Sequence, residues 1–246
     1  MQLDLQFPDL PPYRVRRSAR ARRPSVSVCL HDGVVLTLPQ RYDERRVTAL
    51  LAEWGPWIDR QLRRFDGHRA TLPAHMTDPL PATIRLPAAD RAWQVAYQDS
   101  GDSRSRVSEQ TDQLLVRAPH ARDGASARAA LRRWLARQAR AHLQTELDRL
   151  AGQHALRYRK LTVRGQRTRW GSCSTTGTIS LNYLLMFLAP DAASSVVLHE
   201  LCHTRYMSHG PRFYGLLERL EPRYRELDRE VRQGWQAVPA WAWPSR

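Results

Sequence analysis

Five consecutive residues restrict this chain's folding more than any other stretch: His199-Glu200-Leu201-Cys202-His203. A helix puts positions i and i+4 on one face, so helical backbone would bring the two imidazoles side by side. Ala189-Pro190-Asp191 opens that helix, because proline suits the first helical turn. Val197, Leu198 and Leu201 then form the opposite, apolar face, which anchors the helix in a core while the histidines look into a cleft. Cys202 also points away from the histidines and reads as a small core residue.

Both imidazoles can reach one ion, and an HExxH helix supplies two zinc ligands in this way. Glu200 lies about 100° round the helix from His199, close enough to contact a metal-bound water without ligating the metal. That placement suits a general base. A catalytic zinc needs a third protein ligand and an open fourth position. His209, six residues beyond His203, is the nearest candidate, and Glu218, Glu221 and Glu226 compete for the role. The spacing HExxHxxxxxH matches that of the metzincins, which carry glycine three residues after the second histidine. Tyr206 stands there in this chain and the nearby glycine is Gly210, so the turn must be made differently. His31, His68, His75, His120, His142 and His154 stand alone and read as ordinary surface or core histidines.

Elsewhere the pattern alternates between strand and helix signals. Ser25 to Leu30, the turn His31-Asp32-Gly33 and Val34 to Leu38 predict a hairpin. Helical spacing of Val47, Leu50, Leu51, Trp54, Ile58 and Leu62 predicts a helix kinked or broken at Pro56. Thr83 to Leu86, Trp93 to Tyr97 and Leu114 to Arg117 read as short antiparallel strands. A long helix runs from about Ser126 to Gln153. Lys160 to Val163 and Thr176 to Leu181 read as a strand pair around Arg169-Trp170-Gly171-Ser172-Cys173-Ser174. Pro211 to Arg232 is helical with a kink at Pro222.

The expected class is α+β: a zincin-like catalytic region over residues 121–246, with an N-terminal antiparallel β-rich part holding one helix over residues 1–120, either as two domains or as one continuous domain. At 246 residues and 42% apolar, the chain can bury a genuine core. Cys29, Cys173 and Cys202 are an odd number at wide spacings, so no disulfide framework is implied and a reducing compartment fits. No basic and apolar leader and no 18-residue apolar run are present, which sets the expectation of a cytoplasmic protein with no membrane partner. The 39 Lys and Arg against 24 Asp and Glu leave a net charge of +15. Such a charge attracts polyanions but names no partner, and a solvated basic face explains it as simply.

Three motifs, taken together and in this order, resemble the YgjP-like metallopeptidase family, relatives of the SprT-like and Wss1-like zincins. They are Arg167-x-Arg169-Trp170-Gly171-Ser172-Cys173-Ser174, Ile179-Ser180-Leu181-Asn182, and His199-Glu-Leu-x-His203 with His209 and Phe213. The resemblance implies a zincin-like region behind a small β-rich part, one zinc ion on His199, His203 and His209, and Glu200 as the catalytic residue. Tyr214 departs from the family's usual tryptophan but keeps an aromatic ring.

The expected reaction is hydrolysis of a peptide bond by a zinc-bound water that Glu200 activates. Tyr206 or Tyr214 could add an oxyanion donor. Arg169 could meet an acidic substrate group or pair with a carboxylate, and Gly171 could allow close approach of a substrate backbone or a turn. Substrate would lie as an added strand along Thr176 to Asn182 if that strand is a sheet edge. Two rival readings are a DNA-associated basic protein, either a zinc protease acting on DNA-bound proteins or a nucleic-acid binder with structural zinc, and a zinc hydrolase of a non-peptide amide.

Overall fold

Val34, Leu36 and Leu38 alternate along a single strand with almost no exposure, and this period-two apolar face organises the first part of the molecule. A computed structural model describes residues 13–19, 21–29, 33–71, 80–101, 103–119 and 124–244. The chain forms two compact units, Met1–Pro73 and Ala74–Arg246.

In the first unit, β1 (Tyr13–Ser18), β2 (Ser25–Cys29) and β3 (Gly33–Pro39) form a sheet in the order β1-β3-β2. The expected hairpin is present as the antiparallel β2–β3 pair, and Gly33 takes the left-handed φ of +62° that its turn requires. Leu30, His31 and Asp32, the rest of that turn, lie outside the described residues, as do His75, His120 and the side chain of His68. Helix α1 (Val47–Thr71) covers the sheet with Val47, Leu51 and Ile58. It runs unbroken through Pro56, which sits on the exposed side of the helix.

The second unit begins with β4 (Thr83–Leu86), β5 (Arg91–Asp99), β6 (Arg106–Gln110) and β7 (Gln113–Ala118), a sheet ordered β4-β5-β7-β6. These strands, grouped from sequence with the N-terminal part, pack their apolar face against the long helix α2 (Ala125–Gln153) in one core. Trp93 meets Trp134 edge-on at 5.0 Å, and both indole N–H groups donate to Glu109, at 3.2 and 3.0 Å.

A third sheet, ordered β8-β10-β9, comprises β8 (Lys160–Arg164), β9 (Gly171–Cys173) and β10 (Thr178–Asn182). The architecture is α+β as expected, but each sheet also holds one parallel pair: β1 with β3, β5 with β7, and β8 with β10. A strand inserted between two sequence neighbours produces each of these, and hairpin patterning does not announce it.

Helix α3 (Pro190–His203) starts at the proline, as the sequence predicts. The last helical stretch is two helices, α4 (Pro211–Leu220) and α5 (Tyr224–Gln233), instead of one kinked helix. Glu221, just before Pro222, is extended at φ −138°, ψ 91°, the conformation a following proline enforces. Among the described residues no helix is long and apolar enough to cross a membrane.

Candidate metal centre

Helix α3 buries Val197, Leu198, Leu201 and Cys202, each at 3% exposure or less, so its apolar face is the anchor the spacing predicts. Burial pushes the Cys202 thiol up to about 12, consistent with an inert core residue. The opposite face carries His199, Glu200 and His203. Past His203 the chain reverses without a left-handed residue: Thr204 stays helical, and the N–H groups of Arg205 and Tyr206 both return to the Cys202 carbonyl. This tight helical turn replaces the glycine turn and delivers His209 to the cluster.

The Nε2 atoms of His199 and His203 each lie 3.1 Å from Nε2 of His209. Together the three residues form a group able to hold a metal ion, with ligand atoms within 4.8 Å of one another. Tetrahedral zinc with Zn–N bonds of about 2.05 Å needs N···N separations of roughly 3.3 Å, so the donor set fits that ion in type and spacing. His203 Nδ1 lies 3.0 Å from the Tyr206 carbonyl, a contact in which Nδ1–H donates and Nε2 is left bare as a ligand. Phe213, fully buried, lies beneath all three imidazoles, with ring centroids 4.9, 4.5 and 4.8 Å from His199, His203 and His209. Burial first, then the neighbouring imidazoles, lowers the His199 pKa to about 4, so this nitrogen is available as a neutral donor.

Glu200 is 6% exposed, and its Oε2 has no hydrogen-bond partner. Burial raises its pKa to about 7, against a smaller opposing pull from Arg169. Its side chain presses on Gly171, where a Cβ would fall 2.6 Å from Oε1. Strand β9 is an edge of its sheet, whereas β10, which the sequence reading offered as an edge for substrate, is the central strand. That correction follows from the Arg-Trp-Gly-Ser-Cys segment, which supplies a third strand of its own and pairs Gly171 with Leu181.

The other named residues divide sharply. Tyr214 is exposed and lines the pocket beside the histidines, its ring 6.1 Å from that of His209. Tyr206 contributes its backbone carbonyl, while its side chain packs on the core. Arg169 is exposed and accepts from Asn182 through its carbonyl at 3.0 Å, so its charge acts on Glu200 without an ion pair among the described residues. Glu218, Glu221 and Glu226 engage Arg225 or Arg223 and stay outside the histidine group. Sequence reasoning missed Asp228, which lines the same pocket, acts electrostatically on His199 and pairs with Arg232 at 2.8 Å. Its position in the last helix carried no motif.

A sequence model described as the YgjP-like metallopeptidase domain matches residues 22–233. Two solved structures are weakly similar. The metallopeptidase zymogen abylysin of Pyrococcus abyssi is 18% identical, with 39% of this chain and 98% of that one covered and a TM-score of 0.36. The zymogen jannalysin of Methanocaldococcus jannaschii is 17% identical, with 37% and 94% covered and a TM-score of 0.34. No curated protein sequence matches the chain.

Proposed function

The chain belongs to the YgjP-like metallopeptidase family, and from that premise we propose a zinc-dependent peptidase with the metal on His199, His203 and His209 and Glu200 as general base. One observation carries the proposal: three imidazole Nε2 atoms converge beside a buried carboxylate oxygen that has no partner. When bound there, zinc supplies Lewis acidity, which acidifies water toward neutral pH and polarises the scissile carbonyl. Three neutral nitrogen donors leave an open position, the arrangement of catalytic rather than structural zinc. None of the described Cys, Asp or Glu residues joins the three as a fourth donor.

The chain's own groups divide the remaining work. The Tyr206 carbonyl holds the His203 ring in orientation. Glu200, whose free oxygen meets no internal donor, takes a proton from the attacking water and returns it to the departing amine. The free edge of β9 offers backbone groups to an extended peptide, and Gly171 starts that edge directly against Glu200. Tyr214, exposed in the pocket wall beside His209, is the candidate donor to the substrate carbonyl.

Metal analysis and peptide cleavage by three proteins test the proposal. Wild type should carry one zinc and cleave; Glu200→Gln should keep the zinc and lose cleavage; His209→Ala should lose the zinc. Stoichiometric zinc in His209→Ala, or undiminished cleavage by Glu200→Gln, would refute the assignment.

A further inference from the structure

A pocket of about 250 Å³ opens beside the histidine cluster, with His199 and Glu200 forming part of its wall. Whatever enters it lies next to the atoms that carry the chemistry. The rest of the wall comes chiefly from Trp170, Val196, Leu217, Tyr224 and Val231, drawn from the segment before β9 and from three helices. These residues are firmly held. Trp170 stacks on Trp235 with centroids 3.8 Å apart and donates from Nε1 to the Val231 carbonyl at 3.0 Å. Val196, Leu217 and Val231 are all buried.

Two charges also border the pocket, Asp228 and Arg232, one helical turn apart on α5 and paired at 2.8 Å. Asp228 and Arg232 therefore contribute a neutral pair, and, tyrosines aside, the other ionisable groups of the wall are His199 and Glu200, already assigned to the chemistry. Exchanging one exposed ion pair for another gains almost nothing, because both partners are already solvated. Enclosing a large apolar side chain gains far more, since the area removed from water scales with its size. Gly171 belongs both to this wall and to the free edge of β9. A peptide strand added there projects alternate side chains to one face, and the pocket, which shares Gly171 with that edge, can receive one of them.

We propose that this pocket sets the cleavage preference by receiving a large apolar side chain, aromatic or branched aliphatic, from the residue flanking the scissile bond. The proposal rests on the peptidase reading above. The test uses the full-length, zinc-loaded chain and peptides that differ at one position, carrying Leu, Phe, Ala, Arg or Asp, with the cleaved bond assigned by mass spectrometry. The Leu and Phe peptides should exceed the Ala peptide by about 30-fold in kcat/KM, and should exceed the Arg and Asp peptides. Val196→Phe, checked for zinc content and melting temperature, should narrow the pocket and shift the preference toward Ala.

Equal rates across the set, or preference for a charged residue, would overturn the pocket assignment while cleavage itself left the peptidase reading standing. Absence of all cleavage would count against the peptidase reading alone. Calorimetric binding of the same peptides to the zinc-loaded protein then decides the pocket: tighter binding of the Leu and Phe peptides supports it, and equal dissociation constants refute it.

Discussion

Replacing Gly171 with alanine adds one methyl group at the point where the proposed general base has least room. The new Cβ would stand 2.6 Å from Oε1, 2.7 Å from Cγ and 2.9 Å from Cδ of Glu200, against 3.4 to 4 Å for ordinary contact. The backbone at Gly171 does not have positive φ, so alanine brings no conformational strain and the effect is steric. Glu200 is buried and cannot retreat freely, so its carboxylate must move by roughly 0.8 Å to restore contact. Misplacing a reacting group by about 1 Å costs on the order of 100-fold, or about 2.7 kcal/mol in the barrier. Steady-state kinetics on a cleaved peptide should show kcat reduced about 100-fold, KM within about threefold of wild type and one zinc retained. Glu200→Ala removes Cγ, Cδ and Oε1 and with them the clash, so its loss and that of Gly171→Ala should be less than additive. A raised KM with unchanged kcat would show that Gly171 admits the substrate backbone instead, and unchanged kinetics would refute both roles.

Three further outcomes follow from the same geometry. Phe213→Leu should weaken zinc affinity by about 10- to 100-fold in competition titrations, as loss of an outer support does, and Phe213→Ala should cost about 3 to 5 kcal/mol in urea unfolding; zinc binding as tight as wild type in Phe213→Leu would contradict the supporting role of the ring. Trp170→Phe keeps an aromatic ring but removes the indole bond to the Val231 carbonyl, which keeps the Gly234 N–H as a donor, and an unchanged unfolding free energy would contradict the expected cost of about 0.5 to 1.5 kcal/mol. In metal-free protein Glu200 is raised from 4.5 to about 7, so between these values the native state holds more protons than the unfolded one and Glu200 destabilises progressively as pH rises. His199, lowered to about 4, works in the opposite direction below its ordinary value of 6.5, so the informative quantity is wild-type stability minus that of Glu200→Gln. That difference should fall by up to about 3 kcal/mol from pH 4.5 to 7, and a flat difference would contradict the burial of an ionisable carboxylate.

What the sequence discloses and what it hides separate along a physical line. Helix α3 is legible because its start, apolar face and histidine spacing are all local, and the start at Pro190 is as expected. The long helix α2 is legible for the same reason: ten of its buried residues recur at helical spacing. Pro222 is legible as an interruption but not in degree, because a kink and a break differ only in whether Glu221 can remain helical. Strand order is not local at all. The parallel β8–β10 pair leaves β9 as the edge, and the substrate edge expected on Thr176 to Asn182 is therefore displaced by one strand.

Gly171 shows the limit most directly. From sequence it offers two readings, a turn or the approach of a substrate backbone, because an absent side chain carries no periodicity and no charge. The Leu181↔Gly171 register places it under the helix residue 29 positions later, where its missing Cβ is the space that Glu200 occupies. Asp228 is hidden for a related reason: it reaches the pocket only because Pro222 ends one helix and lets α5 fold back beside α3. The motif thus identifies the groups that would perform the chemistry, while the residues that set their exact placement, and the pocket beside them, come from segments whose importance only the register and the helix break create.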